Sequence, residues 1–125
     1  MLRVQLLDAR DMPRTRIDET GVRIEVTFYK EMLNKIPSNI RYYFTIDIDA
    51  FDPSIAAGTG TPSHGGFYYY EILELIDGLA KQGNIAGLDL VEVAPDYDIT
   101  NSTSTLAAQL LMNVIGRILH NNNNK

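Results

Sequence analysis

The residues best placed to do chemistry are three aspartates, Asp47, Asp49 and Asp52. They close an apolar run in the stretch YFTIDIDAFDPSIAAGTGTPSHGGF, Tyr43 to Phe67. Asp47 and Asp49 are two apart, so on a strand their side chains point the same way. Two like charges there repel unless a cation lies between them, and hard ions such as Mn2+ or Mg2+ prefer such oxygen donors. By itself an Asp-x-Asp pair also describes a solvated strand end. The small residues Gly58-Thr59-Gly60-Thr61-Pro62 favour a site, because they let backbone approach closely. Asp52 precedes Pro53 and either ligates as well or accepts backbone N–H bonds in its loop. A fourth carboxylate, Glu92, ends a second apolar run, Ile85 to Val93 (IAGLDLVEV). It is either a site residue or a strand-end charge in solvent.

Both runs need elements that deliver their carboxylates to one place. Arg41 to Ile48 is nearly continuous in apolar residues, the pattern of a strand buried on both faces of a parallel sheet. Ile85 to Val93 reads the same way. Between them, Phe67 to Gln82 carries Ile72, Leu75, Ile76 and Leu79 at the spacing of one helix face, with Gly83-Asn84 as its stop. Ser102 to Leu119 reads as a last helix with hydroxyl residues available as caps. Upstream, Leu2 to Leu7 and Val22 to Phe28 read as strands. Tyr29 to Ile36 reads as a short helix ended by Pro37-Ser38-Asn39. Asp49 to Gly66 is too rich in Gly, Pro, Ser and Thr for regular structure. The alternation predicts an α/β fold, a parallel sheet with helices on both faces in three layers. In such sheets ligands bind outside the carboxyl ends of strands, where Asp47, Asp49 and Glu92 all fall.

The chain has 125 residues, enough for one core, and its apolar and charged fractions are ordinary for a globular domain. Residues 1–120 are expected to form one domain and 121–125 a disordered, Asn-rich tail. The net charge of −5 argues against a nucleic-acid partner and for a site that attracts cations. With no cysteine there is no disulfide frame and no thiolate ligand or nucleophile. No run is long and apolar enough to span a membrane, and the N-terminus lacks a signal-peptide pattern. The expected location is cytoplasmic; a mitochondrial one would require an upstream segment. His64 reads as an exposed loop histidine and His120 as a cation favoured by a helix C-terminus.

The run from Ile46 to Gly66 resembles the signature of the ureohydrolases, the arginase and agmatinase group. That signature has two aspartates one apart, then Asp-Pro, Gly-Thr-Gly-Thr-Pro and Gly-Gly. A second family segment is similar to Leu88 to Pro95 (LDLVEVAP), and the following Thr105-Leu106-Ala107-Ala108 also matches. The resemblance covers about Arg41 to Leu119. It implies hydrolysis of a guanidino compound to urea and an amine at two Mn2+ ions. It implies that Asp47 and Asp49 are metal ligands, with Asp47 shared between the ions, and that Glu92 receives the substrate guanidinium. It implies a homo-oligomer, and Val91 to Asp98 looks more like the agmatinase and guanidinobutyrase branch, which belongs to polyamine metabolism. Asp52 is assigned to supporting the loop, and no residue of the chain is assigned as catalytic.

The chain departs from the family pattern in one way that matters. Neither the Gly-Gly-Asp-His nor the Asp-Ala-His-x-Asp segment occurs, so four of six expected metal ligands are missing. Two carboxylates cannot hold two hard cations that each want about six donors. The chain is therefore expected to be the C-terminal part of a larger domain and inactive alone; the alternative is a degenerate, non-catalytic member or a subunit-interaction remnant. Ala57 replaces a usual proline, which loosens the loop through the unfolded state. Asp47 to Phe51 also resembles the D-x-D-A-F of lesion-bypass DNA polymerases, but over five residues only, and Pro53 breaks the continuation.

Overall fold

A computed structural model describes residues 2–3, 33–38, 41–82 and 84–123. The expected Val22 to Phe28 strand, and most of Leu2 to Leu7, lie outside the described residues. Three strands form one parallel sheet in the order β1 (Leu2–Arg3), β2 (Arg41–Asp47), β3 (Asn84–Val91). Two helices follow their strands: α1 (Tyr69–Gln82) lies between β2 and β3, and α2 (Ser102–Asn123) follows β3. The β2–β3 register runs from Arg41↔Asn84 to Asp47↔Val91, with one shift between Tyr42 and Tyr43. The final pairing is the one that bears on the site. It places Glu92 one residue past the partner of Asp47.

One face of the sheet makes the core. Phe44 and Ile46 of β2 pack with Ile72, Leu75, Ile76 and Leu79 of α1 and with Ala107, Leu110 and Val114 of α2. Each large side chain removed from water here contributes roughly 1.5–3 kcal/mol. Tyr43 and Thr45, which alternate with them, are only partly buried. The continuous apolar run thus encodes one well-covered face, and among the described residues the long helices cover that face alone. On the other, the Tyr43 ring lies over Gly87 and its hydroxyl donates to Asp89 Oδ2 at 3.2 Å.

Helix α1 begins two residues later than expected, because Phe67 is drawn into a bridge with Phe51. Glu71 then accepts the Tyr68 N–H at 2.7 Å, half of a reciprocal N-terminal cap. Helix α2 runs four residues past the expected end at Leu119, so Asn121–Asn123 of the expected disordered tail are helical. Extending an existing helix gains one hydrogen bond per residue fixed, which carries even a weak helix former such as Asn. Asp77 ties the two helices, accepting Arg117 Nη1 at 2.7 Å.

Candidate functional site

Strand β2 ends at Asp47, and the chain turns at once into a 3-10 turn, Ile48–Ala50. Asp47 caps this turn: its Oδ1 accepts the Asp49 N–H at 2.9 Å. Asp49 therefore stands off the strand, in a turn capped by Asp47, where period-two alternation along a strand was expected. Ile48 and Phe51 are fully enclosed, which roots the turn in the core while Asp47 stays exposed.

The loop from Asp52 to Gly66 is closed by main-chain bonds. Phe67 N–H donates to Ala50 O at 2.8 Å and Asp52 N–H to Phe67 O at 3.1 Å. Gly66 sits against the Phe51 backbone, where a Cβ would lie 2.3 Å from the Phe51 carbonyl carbon. Asp52 accepts the Ser54 N–H and the Gly65 N–H, each at 3.0 Å, which fits the loop-supporting role. Hydrogen bonding from the Ser54 side chain and backbone, then from Gly65, with nearby His64 adding least, lowers the Asp52 carboxyl to a pKa of about 2.

The Gly58 to Thr61 segment lies between the two strand ends. Thr59 is 3% exposed. Its hydroxyl contacts the Asp49 carboxylate and lies 2.9 Å from the carbonyl oxygen of Glu92. Thr61 donates its hydroxyl to the other Asp49 oxygen. Ala94 N–H donates to Gly58 O at 2.9 Å, and Gly58 N–H donates to Thr103 Oγ1 at 2.8 Å. A Cβ on Gly58 would stand 2.5 Å from Asp98 Cβ, so only glycine lets the loop come this close. Asp98 in turn accepts the Thr103 N–H at 3.2 Å and the Ser104 N–H at 2.8 Å, an anion on the first turn of α2. Burial acts to raise the Asp98 pKa, but these bonds from Ser104 and Thr103 outweigh it and hold the carboxyl below its ordinary value.

Glu92 leaves β3 with φ 67, a left-handed conformation that a side chain with a Cβ adopts at a cost. It is exposed at the same rim as Asp47. The structure thus places Asp47, Asp49 and Glu92 at one end of the sheet, with Thr59 between the Asp49 carboxylate and the Glu92 backbone oxygen, and keeps Asp52 in its loop. His64 is exposed in that loop, as expected. His120 lies in the last turn of α2. The residues not anticipated are Thr59, Thr61, Asp98 and Thr103, which connect the parts.

The arrangement sets carboxylates at one end of the sheet beside a loop closed by main-chain bonds. Among the described residues no three His, Asp or Glu side chains stand together as a metal would require. Both oxygens of Asp49 are already engaged by threonine hydroxyls. The residues present do not by themselves fit a two-metal centre. No helix among the described residues is long and apolar enough to cross a membrane.

Comparison with known proteins shows the family and the fold. Residues 3–116 match the model of the arginase family. An agmatinase of Sodalis glossinidius is 45% identical over 83 residues, covering 66% of this chain and 27% of that protein. The crystal structure of a hypothetical agmatinase from Burkholderia thailandensis superposes with a TM-score of 0.68 at 34% identity, covering 78% of this chain and 32% of that one. A native arginase from Bacillus caldovelox gives 0.63 at 31% identity, covering 71% and 30%. The chain spans about a third or less of the length of these relatives.

Proposed function

The chain belongs to the arginase family, and on that premise we propose that it is the C-terminal part of a ureohydrolase cleaving an agmatine-like guanidino compound to urea and an amine. Glu92 receives the guanidinium: a planar cation pairs with a carboxylate through two parallel N–H donors. Asp47 and Asp49 are the metal-binding carboxylates of the complete site, which two Mn2+ ions would occupy once further ligands come from outside these residues. This chain's own contribution is to present Asp47, Asp49 and Glu92 at one end of the sheet, with the buried Thr59 hydroxyl tying Asp49 to the Glu92 backbone. The observation that supports the reading is the Thr59 hydroxyl set between Asp49 and Glu92 O. Agmatine is favoured over arginine because Val91 to Asp98 resembles the agmatinase branch and a relative named agmatinase is 45% identical. A cytoplasmic setting and an oligomer of identical subunits belong to the same proposal.

The test is a chimera in which residues 41–119 replace the matching segment of the Sodalis glossinidius agmatinase. With Mn2+ added, urea is expected from agmatine in preference to arginine or guanidinobutyrate. A folded chimera that releases none overturns the reading, and preference for arginine overturns the substrate. The chain alone is expected to release no urea.

The missing third ligand among the described residues favours a second reading, a non-catalytic remnant. Calorimetry with Mn2+ separates the alternatives. Two tightly bound ions per chain would refute incompleteness, and binding weaker than micromolar agrees with it.

A further inference from the structure

We infer that Thr59 is a positioning residue that couples the two sides of the site, fixing the Glu92 turn relative to the Asp49 carboxylate. Three observations converge on it. The side chain is 3% exposed, so its hydroxyl cannot turn to bulk water. That hydroxyl meets an anionic oxygen on one strand end and a backbone oxygen on the other, residues 43 apart in sequence, Asp49 and Glu92. The backbone oxygen belongs to the residue at φ 67, a conformation that persists only where neighbours over-determine it. The Ala94 N–H bond to Gly58 O supplies a second hold two residues on. A hydroxyl carries one proton and donates to one acceptor at a time. Its place between two acceptors makes the geometry at Glu92 depend on the position of the Asp49 carboxylate. Glu92 at the left-handed position aims its carboxylate from the rim, and a relaxed backbone there would aim it elsewhere. The consequence for substrate rests on the reading of Glu92 as the guanidinium-binding carboxylate; the coupling itself does not.

The experiment is solution NMR on the full chain, with two variants that separate the hydroxyl from the methyl. Thr59→Val keeps the volume and removes the donor. It should displace the Glu92 backbone signals and raise hydrogen exchange at the Ala94 amide by roughly tenfold, the loss of about one net hydrogen bond. Thr59→Ser keeps the hydroxyl and should restore both to native values. Asp49→Ala should move the Glu92 signals in the native background and leave them unmoved in the Thr59→Val background. The opposite pattern, with Thr59→Val native-like and Thr59→Ser displaced, would show that the methyl packs and the hydroxyl is idle, and would overturn the inference. An Asp49→Ala effect that survives Thr59→Val would overturn it too. If Thr59→Val does not fold, Thr59→Ser decides alone: native Glu92 signals support the coupling and displaced ones refute it. None of these readouts needs substrate, so failure here is distinct from a silent chimera.

Discussion

The two strand ends that form the rim are built on opposite terms. After β2 the chain avoids strain: Asp47 and Asp52 accept main-chain N–H groups, Asp49 accepts threonine hydroxyls, and glycines take the left-handed position at Gly65, φ 89, and the close approach at Gly66 against Phe51. After β3 the chain accepts strain: Glu92 and Asn101 both hold positive φ, at 67 and 56, without being glycine. The β2 loop is thus a rigid frame whose own bonds hold it. The β3 turn is held from outside, through Thr59 and Gly58. What differs is where a mutation should register: in the frame as lost folding, in the turn as lost aim.

Gly66→Ala should be the most severe break of the frame. Its Cβ would meet two backbone groups that cannot yield, and a loss of about 3 kcal/mol or more is expected by chemical denaturation. Gly58→Ala strikes the seam between the two ends. Asp98 must move to admit it, so a loss of about 2 kcal/mol is expected, together with displaced Ala94 and Thr103 amide signals. Asp98→Ala removes the acceptor for two N–H groups of α2 and should cost about 1–2 kcal/mol, read as a lower melting temperature with fraying confined to the first turn of α2.

Asp52→Asn should be mildest: it lowers stability at neutral pH, where the carboxylate's contribution is complete, and its gap from the native chain closes as the pH falls. The folded Asp52 pKa of about 2 lies below the ordinary 3.8. Its stabilising contribution is therefore complete above pH 3.8 and fades as the pH falls towards 2. The native chain should lose stability across that window, and Asp52→Asn should lose less across it. Asp98 also has a lowered pKa, so the variant flattens the acid limb without abolishing it.

Most of the framework was legible because it is local. Periodic apolar residues gave α1, the run before Asp47 gave β2, and small residues after it gave the loop. The turn at Asp49 was not legible, since an Asp-x-Asp pair reads equally as strand or as a self-capped turn. Nor were Thr59, Thr103 and Asp98. Their partners are 33, 45 and 5 residues away, and the first two bonds are written nowhere in local pattern. Gly-Thr-Gly-Thr hinted at close backbone approach but not at which hydroxyl would bridge. The end of α2 was missed because polarity suggested a tail where helix propagation prevailed.

The positive φ at Glu92 bears on what keeps this chain as it is. Were only the fold under selection, drift would favour glycine there. Glu92→Gly should relieve the left-handed backbone and raise stability by on the order of 1 kcal/mol, read as a higher melting temperature, as it deletes the carboxylate. At this position stability and the carboxylate are thus set against each other: the fold would gain from losing the side chain that the rim would lose.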